Sequence, residues 1–305
     1  MNEAEGQTIE YEGPNADRSG AIARGGWYVF AAGVLWSLSG VMTKSLPLDS
    51  LTIAFYRGLF AGLALIPWVR PRSWTFRPSM IWLGLCFGAM TGLYLGAVKS
   101  TTAANAIYLQ YTATFWVIPL GAIFLKETPD RRSLVAIIIA MIGICVIVVW
   151  GYDGRPHEWR GIALGLASGL AYAIVATGMR GLRDLDPIWL STILNLGGSI
   201  TLGCAIVLNA GAAPMISTGS QILILIAFGV VQMAIPYVLF ARGLRHIGAA
   251  EASLIALIEP ILNPIWVIFV NHEWPAMPTL VGGVLLLSGV TYKYWPRHEF
   301  RENIR

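Results

Sequence analysis

Arg57, in Phe55-Tyr56-Arg57-Gly58, and Glu259, in Leu257-Ile258-Glu259-Pro260, each interrupt a long apolar run. A charge at the centre of a membrane-spanning helix costs about 2.5–3.5 kcal/mol on insertion scales, so such groups face a bundle interior or water rather than lipid. Glu259 also falls on a stripe of Ala252, Ala256, Glu259, Asn263 and Trp266 at helical spacing. One small, polar and aromatic face suits a substrate passage. The structural alternative is that Arg57 and Glu259 pair with one another or with exposed backbone groups.

Four prolines point to the same region. Pro119, Pro236, Pro260 and Pro264 lie inside apolar runs. Each removes a backbone donor and frees a carbonyl four residues earlier, here those of Phe115, Gln232, Ala256 and Pro260. Two prolines beside Glu259 and Asn263 predict a distorted cavity wall. Other chemistries lack a constellation. Cys86, Cys145 and Cys204 stand alone, and His157, His246, His272 and His298 fall at or beyond helix ends. Neither a disulfide framework nor a metal site is supported. With no nucleotide-binding loop and no convergent nucleophile or carboxylate pair, the reading is of a protein that is not an enzyme and needs no cofactor.

The elements that must position these residues follow from composition. Of 305 residues, 56% are hydrophobic and 12% charged, with a mean hydropathy of +0.63. Such a chain cannot hide its apolar surface in a water-soluble fold, so the lipid bilayer is its solvent. A helical span needs about 20 apolar residues, and ten runs qualify: 26–45, 50–69, 79–98, 102–125, 133–151, 160–180, 187–208, 219–241, 248–270 and 277–295. Continuous apolar runs such as Leu134 to Trp150 favour helices over a barrel of alternating strands. The fold class is therefore an all-α membrane protein.

The ten runs divide into two related fives. Ala103, Ala104, Ala106, Glu127 and Pro129 return in register as Ala249, Ala250, Ala252, Glu273 and Pro275, and Gly143 falls on Gly289. Lys126, Arg131 and Arg132 become His272, Met277 and Pro278. Short cytoplasmic loops keep Lys and Arg while external loops lose them, so the two copies are expected to insert in opposite directions, as two inverted five-helix repeats. With the amino terminus inside, sixteen basic residues fall on the cytoplasmic side. Only Lys44, Lys99, Arg155 and Arg160 fall outside, and Arg57 lies within a span. Both termini are thus expected in the cytoplasm. The net charge of +4 is spread as an orientation signal and calls for no nucleic acid. Residues 1–25 read as a disordered cytoplasmic tail, 26–151 as the first repeat, 152–295 as the second and 296–305 as a cytoplasmic C-terminal tail. Trp27, Trp68, Trp150 and Trp274 fit interfacial belts.

Glycines at Gly84, Gly88, Gly92 and Gly96, and at Gly161, Gly165 and Gly169, are spaced by four. They predict close helix packing in lipid. Such ridges serve folding and association alike, so they assign no oligomeric state.

Over about 26 to 295 the chain resembles the ten-helix exporters of the EamA type in the drug/metabolite transporter superfamily. The resemblance rests on the pattern from Ala103-Ala104 through Pro119 to Glu127, repeated from Ala249-Ala250 through Pro260 and Pro264 to Glu273, and on Arg57, which matches the family's basic residue in the second helix. Within the family it is similar to the bacterial aromatic amino-acid exporters of the YddG type. The resemblance implies a bacterial inner-membrane location and a central cavity walled by spans 1, 3, 4, 6, 8 and 9, with spans 5 and 10 outside. On that layout Trp36 and Tyr172 take equivalent places on spans 1 and 6. Tyr94, Tyr108 and Tyr111 add stacking faces, and Gln232 and Asn263 can orient an amino or carboxylate group. The implied function is alternating-access export of small molecules, amino acids including aromatic ones. A drug, nucleotide sugar or purine is the alternative cargo, and a membrane-embedded enzyme or lipid-handling protein the alternative class.

Overall fold

The structure, a computed structural model, describes residues 14–124, 126, 131–150, 156–182, 184–210, 218–247, 252 and 254–294. Every regular element among the described residues is a helix. The larger ones are α1 (Pro14–Trp36), α2 (Ser39–Ser45), α3 (Ser50–Leu65), α4 (Ser79–Ser100), α5 (Ala103–Tyr111), α6 (Ala113–Phe124), α7 (Arg131–Cys145), α8 (Pro156–Gly181), α9 (Pro187–Ala210), α10 (Gly219–Ala227), α11 (Ile235–Gly243), α12 (Ile258–Asn271) and α13 (Met277–Tyr294). Turns of π-helix extend α7 over Val146–Trp150 and join α10 to α11 over Phe228–Ala234.

Among the described residues, seven helical stretches are long and apolar enough to cross a membrane: Gly20–Ser45, Ser50–Trp68, Ser79–Ser100, Ala103–Phe124, Glu158–Gly181, Pro187–Leu208 and Gly219–Gly243. Leu134–Trp150 and Ile258–Asn271 are apolar but shorter. Two boundaries differ from expectation. The first helix starts at Pro14, so residues 14–25 are helical where disorder was expected. The run expected at 248–270 is interrupted at Ala256 and Leu257, and regular helix resumes only at Ile258. Glu127, Pro129, Ala249 and Ala250 of the repeated pattern lie outside the described residues, as do 1–13 and 295–305.

Local chemistry sets several helix starts. Asp49 accepts from the Thr52 N–H at 2.9 Å, and Thr102 from the Asn105 N–H at 3.1 Å. Asp186 accepts from the Ile188 and Trp189 N–H groups at 2.9 and 3.0 Å. These caps satisfy donors that the first helical turn leaves free.

The core joins the two halves of the chain. α4 packs most extensively on α8 and α9, and α3 on α9. Glycine makes this possible, because a Cβ at Gly84 would lie 3.2 Å from the Gly197 Cα and one at Gly88 only 2.7 Å from the Gly198 carbonyl oxygen. The ridge on α8 approaches the link between α4 and α5, and α5 itself, in the same way, Gly161 meeting Thr101 and Gly165 meeting Leu109. Both ridges are packing surfaces. On α12, Asn263 and Val267 are buried while Ile261, Ile265 and Phe269 are exposed, the split between an interior face and a lipid face.

One backbone detail repeats at the register read from sequence. Lys126 has φ 56° and His272 φ 55°, and these are the two non-glycine residues with positive φ among the described residues. Lys126 and His272 are the pair aligned with each other when Ala103 is set on Ala249.

Candidate functional site

Three helix breaks converge near the middle of the bundle. Between α1 and α2 the helix opens at Ser37 and Leu38, and between α5 and α6 at Thr112. The same device serves both. Ser37 Oγ donates to the Val34 carbonyl at 2.6 Å, and Thr112 Oγ1 donates to the Leu109 carbonyl at 2.6 Å. A hydroxyl that bonds a preceding carbonyl competes with the helix ladder and bends it. The third break, at Ala256 and Leu257, precedes Pro260, which cannot donate to the carbonyl of Ala256.

The Ala256 carbonyl, expected to be freed by Pro260, accepts instead from the Glu259 N–H at 3.0 Å, and side chains from neighbouring helices bond further groups at the breaks. Tyr111 Oη donates to Glu259 Oε2 at 2.9 Å and lies 3.4 Å from the Ala256 carbonyl oxygen. Gln232 Nε2 donates to the Trp36 carbonyl at 2.9 Å, on the rim of the first break. Trp266 Nε1 donates to Ser37 Oγ at 2.8 Å, and Asn263 Nδ2 to Ser39 Oγ at 3.0 Å. Ser39 Oγ is 2.9 Å from the Tyr94 hydroxyl. Irregular backbone is tolerated at membrane depth where protein groups re-satisfy it or it lines a cavity, and here the partners are the residues read as site candidates.

Glu259 is the electrostatic hub. Arg57, Tyr94, Tyr111, Tyr172 and Tyr237 all interact with its carboxylate. Tyr172 is within electrostatic reach of Tyr237, Glu259 and Tyr111, and 43% of it is exposed. Trp36 packs edge-on to Tyr237 at 5.6 Å and lies 5.3 Å from Phe240, forming an aromatic wall beside the first break. Gln232 Oε1 and Asn263 Oδ1 are buried without a hydrogen-bond partner.

Arg57 and Glu259 do not form a direct ion pair. Arg57 is 4% exposed and its Nε has no hydrogen-bond partner. Its guanidinium lies 5.1 Å from the centroid of the Phe228 ring. A desolvated cation–π contact is worth about 2 kcal/mol, against several kcal/mol for burying a charge. The ring alone therefore leaves this cation under-compensated.

The expected residues thus separate into groups. Trp36, Tyr111, Tyr172, Gln232, Asn263 and Glu259 come together around the breaks. Tyr94 joins them as a buried residue, 4% exposed. Tyr108 does not, because it packs against Gly283 of α13. Ser37, Ser39 and Tyr237 were not singled out from sequence. Their signals are the Ser37-Leu38-Ser39-Gly40 run inside an apolar stretch and the aromatic directly after Pro236.

At one end of the group the helices are pinned together. Lys44 Nζ lies 2.7 Å from Glu273 Oε2 and donates to the Thr101 carbonyl at 2.9 Å. Glu273 Oε1 accepts from the Ala103 N–H at 2.7 Å, and Lys99 Nζ donates to the Leu46 carbonyl at 2.5 Å.

This arrangement of broken apolar helices has relatives. Residues 23–149 and 159–294 each match the EamA-like transporter family. The chain belongs to the EamA-like transporter family. This EamA-like protein is 32% identical over 267 residues to an uncharacterised transporter of Archaeoglobus fulgidus, covering 86% of this chain and 93% of that one. It is 24% identical to the pseudopaline exporter CntI of Pseudomonas aeruginosa, covering 81% and 87% of the two chains. A solved crystal structure shares its fold with a TM-score of 0.63 at 15% identity, covering 90% of this chain and 97% of the other. It is a multi-pass membrane transporter, and its two family matches fall on the two halves of the chain.

Proposed function

We propose that this EamA-like transporter exports amino acids, aromatic ones included, across a bacterial inner membrane by alternating access. The carrying observation is the convergence of three helix breaks on Glu259, with Tyr111 bridging two of them and an aromatic wall of Trp36 and Tyr237 alongside. Discontinuous helices expose backbone and side-chain polar groups at the substrate depth, and aromatic faces hold planar side chains or an ammonium. In this reading the fold is ten spans in two inverted repeats, akin to the YddG-type exporters. The shared left-handed conformation of Lys126 and His272 supports the register of those repeats. Gln232 and Asn263 orient the substrate, and Trp36 and Tyr172 face it from either side.

With both termini cytoplasmic, the end closed by Lys44 and Glu273 is the external one. The three breaks supply bending points through which that end opens as the other closes. The likeness to the pseudopaline exporter CntI supports outward movement, and another small-molecule cargo, a drug, nucleotide sugar or purine, is the second reading. Purified protein in liposomes, given radiolabelled tryptophan, threonine and a nucleotide sugar with and without a pH gradient, tests the assignment. Saturable amino-acid flux is expected; flux of the nucleotide sugar alone overturns the cargo and leaves the fold standing.

A further inference from the structure

α12 and α13 follow each other in sequence but hardly touch in space. α13 packs along α7 and against α5, whereas α12 packs on α2, α5 and α1. Between them lies an open groove of about 590 Å³, within the range of about 300–1,000 Å³ that holds small ligands. Its two parts differ in chemistry. Ile261, Val284 and Leu287 line one, and Ile261 and Val284 are exposed. Arg132, Thr291 and Tyr292 line the other, where the Arg132 guanidinium of α7 lies 5.3 Å from the centroid of the Tyr292 ring of α13. Arg131, Arg132 and Lys293 are the charged residues of α7 and α13, all basic and all at this end. Glu259, the acid of α12, turns instead toward Tyr111. From Val284 to Tyr292 the helix rises about 12 Å at 1.5 Å per residue, close to the depth of one leaflet in a hydrocarbon core about 30 Å thick.

We propose that this groove seats one anionic phospholipid, its phosphate at Arg132 and Thr291 and an acyl chain along Leu287, Val284 and Ile261. Charge and depth together select that occupant. A guanidinium matches the paired oxygens of a phosphate, and a hydroxyl adds a donor. Tyrosine sits at headgroup level, and basic pockets between membrane helices on the cytoplasmic side take acidic headgroups. This end is the cytoplasmic one in the topology proposed above. A free anion would use the basic end and leave the apolar part unfilled. A second copy of the chain, inserted in the same direction, would bring its own basic end against this one. The lipid touches α12 on the face opposite Asn263, and so lies against a helix of the candidate site. The inference is independent of the cargo.

Native mass spectrometry of the purified protein, titrated with phosphatidylglycerol and with phosphatidylcholine of the same chains, reads the binding. One phosphatidylglycerol is expected to bind about tenfold more tightly than phosphatidylcholine, the effect of a charge-assisted hydrogen bond. Arg132→Gln is expected to abolish that preference, while Arg72→Gln, at an exposed position on the link between α3 and α4, leaves it unchanged. Val284→Trp fills the apolar part from an exposed position and is expected to weaken the binding of both lipids. Glycerophosphate, a headgroup without chains, is expected not to displace bound lipid. Equal affinity for the two lipids, equal loss in the Arg132 and Arg72 variants, unchanged binding in Val284→Trp, or displacement by glycerophosphate overturns the proposal. None of these outcomes touches the transport assignment, which flux alone decides.

Discussion

The Tyr111 hydroxyl donates to Glu259 Oε2 at 2.9 Å and so ties the break after α5 to the break before α12. A hydrogen bond to a charged group is worth about 1.5–3 kcal/mol. Tyr111→Phe keeps the ring and removes only that donor. Transport is expected to fall about tenfold while the yield of folded protein in detergent is unchanged. Wild-type flux in this variant would remove Tyr111 from the working site.

Gln232 and Tyr94 are expected to behave differently from each other. Gln232→Ala frees the Trp36 carbonyl at a helix break and lowers flux without lowering folded yield. Tyr94 is nearly inaccessible and bonded to Ser39, so Tyr94→Ala opens a core cavity costing about 3–5 kcal/mol. Its yield falls, whereas Tyr94→Phe recovers most of it. Size-exclusion recovery alongside flux separates the two cases.

The sequence disclosed the charged and proline-bearing parts of this site because those residues are costly in lipid. Arg57, Glu259 and Pro260 announce themselves for that reason. Ser37 and Thr112 do not, since hydroxyls are common in membrane helices and only the geometry shows which of them displace a ladder bond. Tyr94 and Tyr108 were equal candidates by type. Which way a tyrosine turns depends on the helix beside it, and the approach of Gly283 to Tyr108 is not written in the local pattern. Among the described residues, seven of the ten expected runs are helices long and apolar enough to cross a membrane, while Leu134–Trp150 and Ile258–Asn271 are shorter; the interruption at Ala256 and Leu257 and the early start at Pro14 are not legible from apolar run length.

Glu273 is expected to matter more as a cap than as a charge. The pair with Lys44 is partly exposed, at 20% and 24% of the side chains, and such pairs contribute about 0–1 kcal/mol. The same carboxylate also accepts the Ala103 N–H at the start of α5. Glu273→Gln keeps that acceptor and should cost little, whereas Glu273→Ala should cost about 1–2 kcal/mol. Thermal midpoints of the two variants check the order.

Arg77 and Asp184 form a two-pronged exposed pair, with Arg77 Nη1 donating to Asp184 Oδ1 at 3.1 Å and Nη2 to Oδ2. The hydrogen bonds from Arg77 hold the Asp184 carboxyl below the usual carboxylate range. A depressed folded value means that the stabilisation is present above the ordinary range and is lost as pH falls through the lowered one. Asp184→Asn should therefore lower the thermal midpoint slightly at pH 7 and leave it equal to wild type near pH 2. A difference that persists in acid would assign the effect to something other than charge.

Gly88→Ala places a methyl 2.7 Å from the Gly198 carbonyl oxygen, where backbone must move. Overpacking of this kind costs about 1–3 kcal/mol. Gly181→Ala, with nothing within 4 Å of the added atom, is the matched control. Only the first is expected to lower thermal stability in nanodiscs.

The glycine seam between α4 and α9 also governs the order in which the protein can be built. α4 is synthesised long before α8 and α9, yet those are the helices that cover its glycine face. When the first half leaves the ribosome, the backbone of α4 around Gly84 and Gly88 has no partner, and it waits in the bilayer until the later helices arrive. A fragment ending at residue 151 therefore inserts without reaching its final packing, and the two halves become a single folding unit only once α9 is complete.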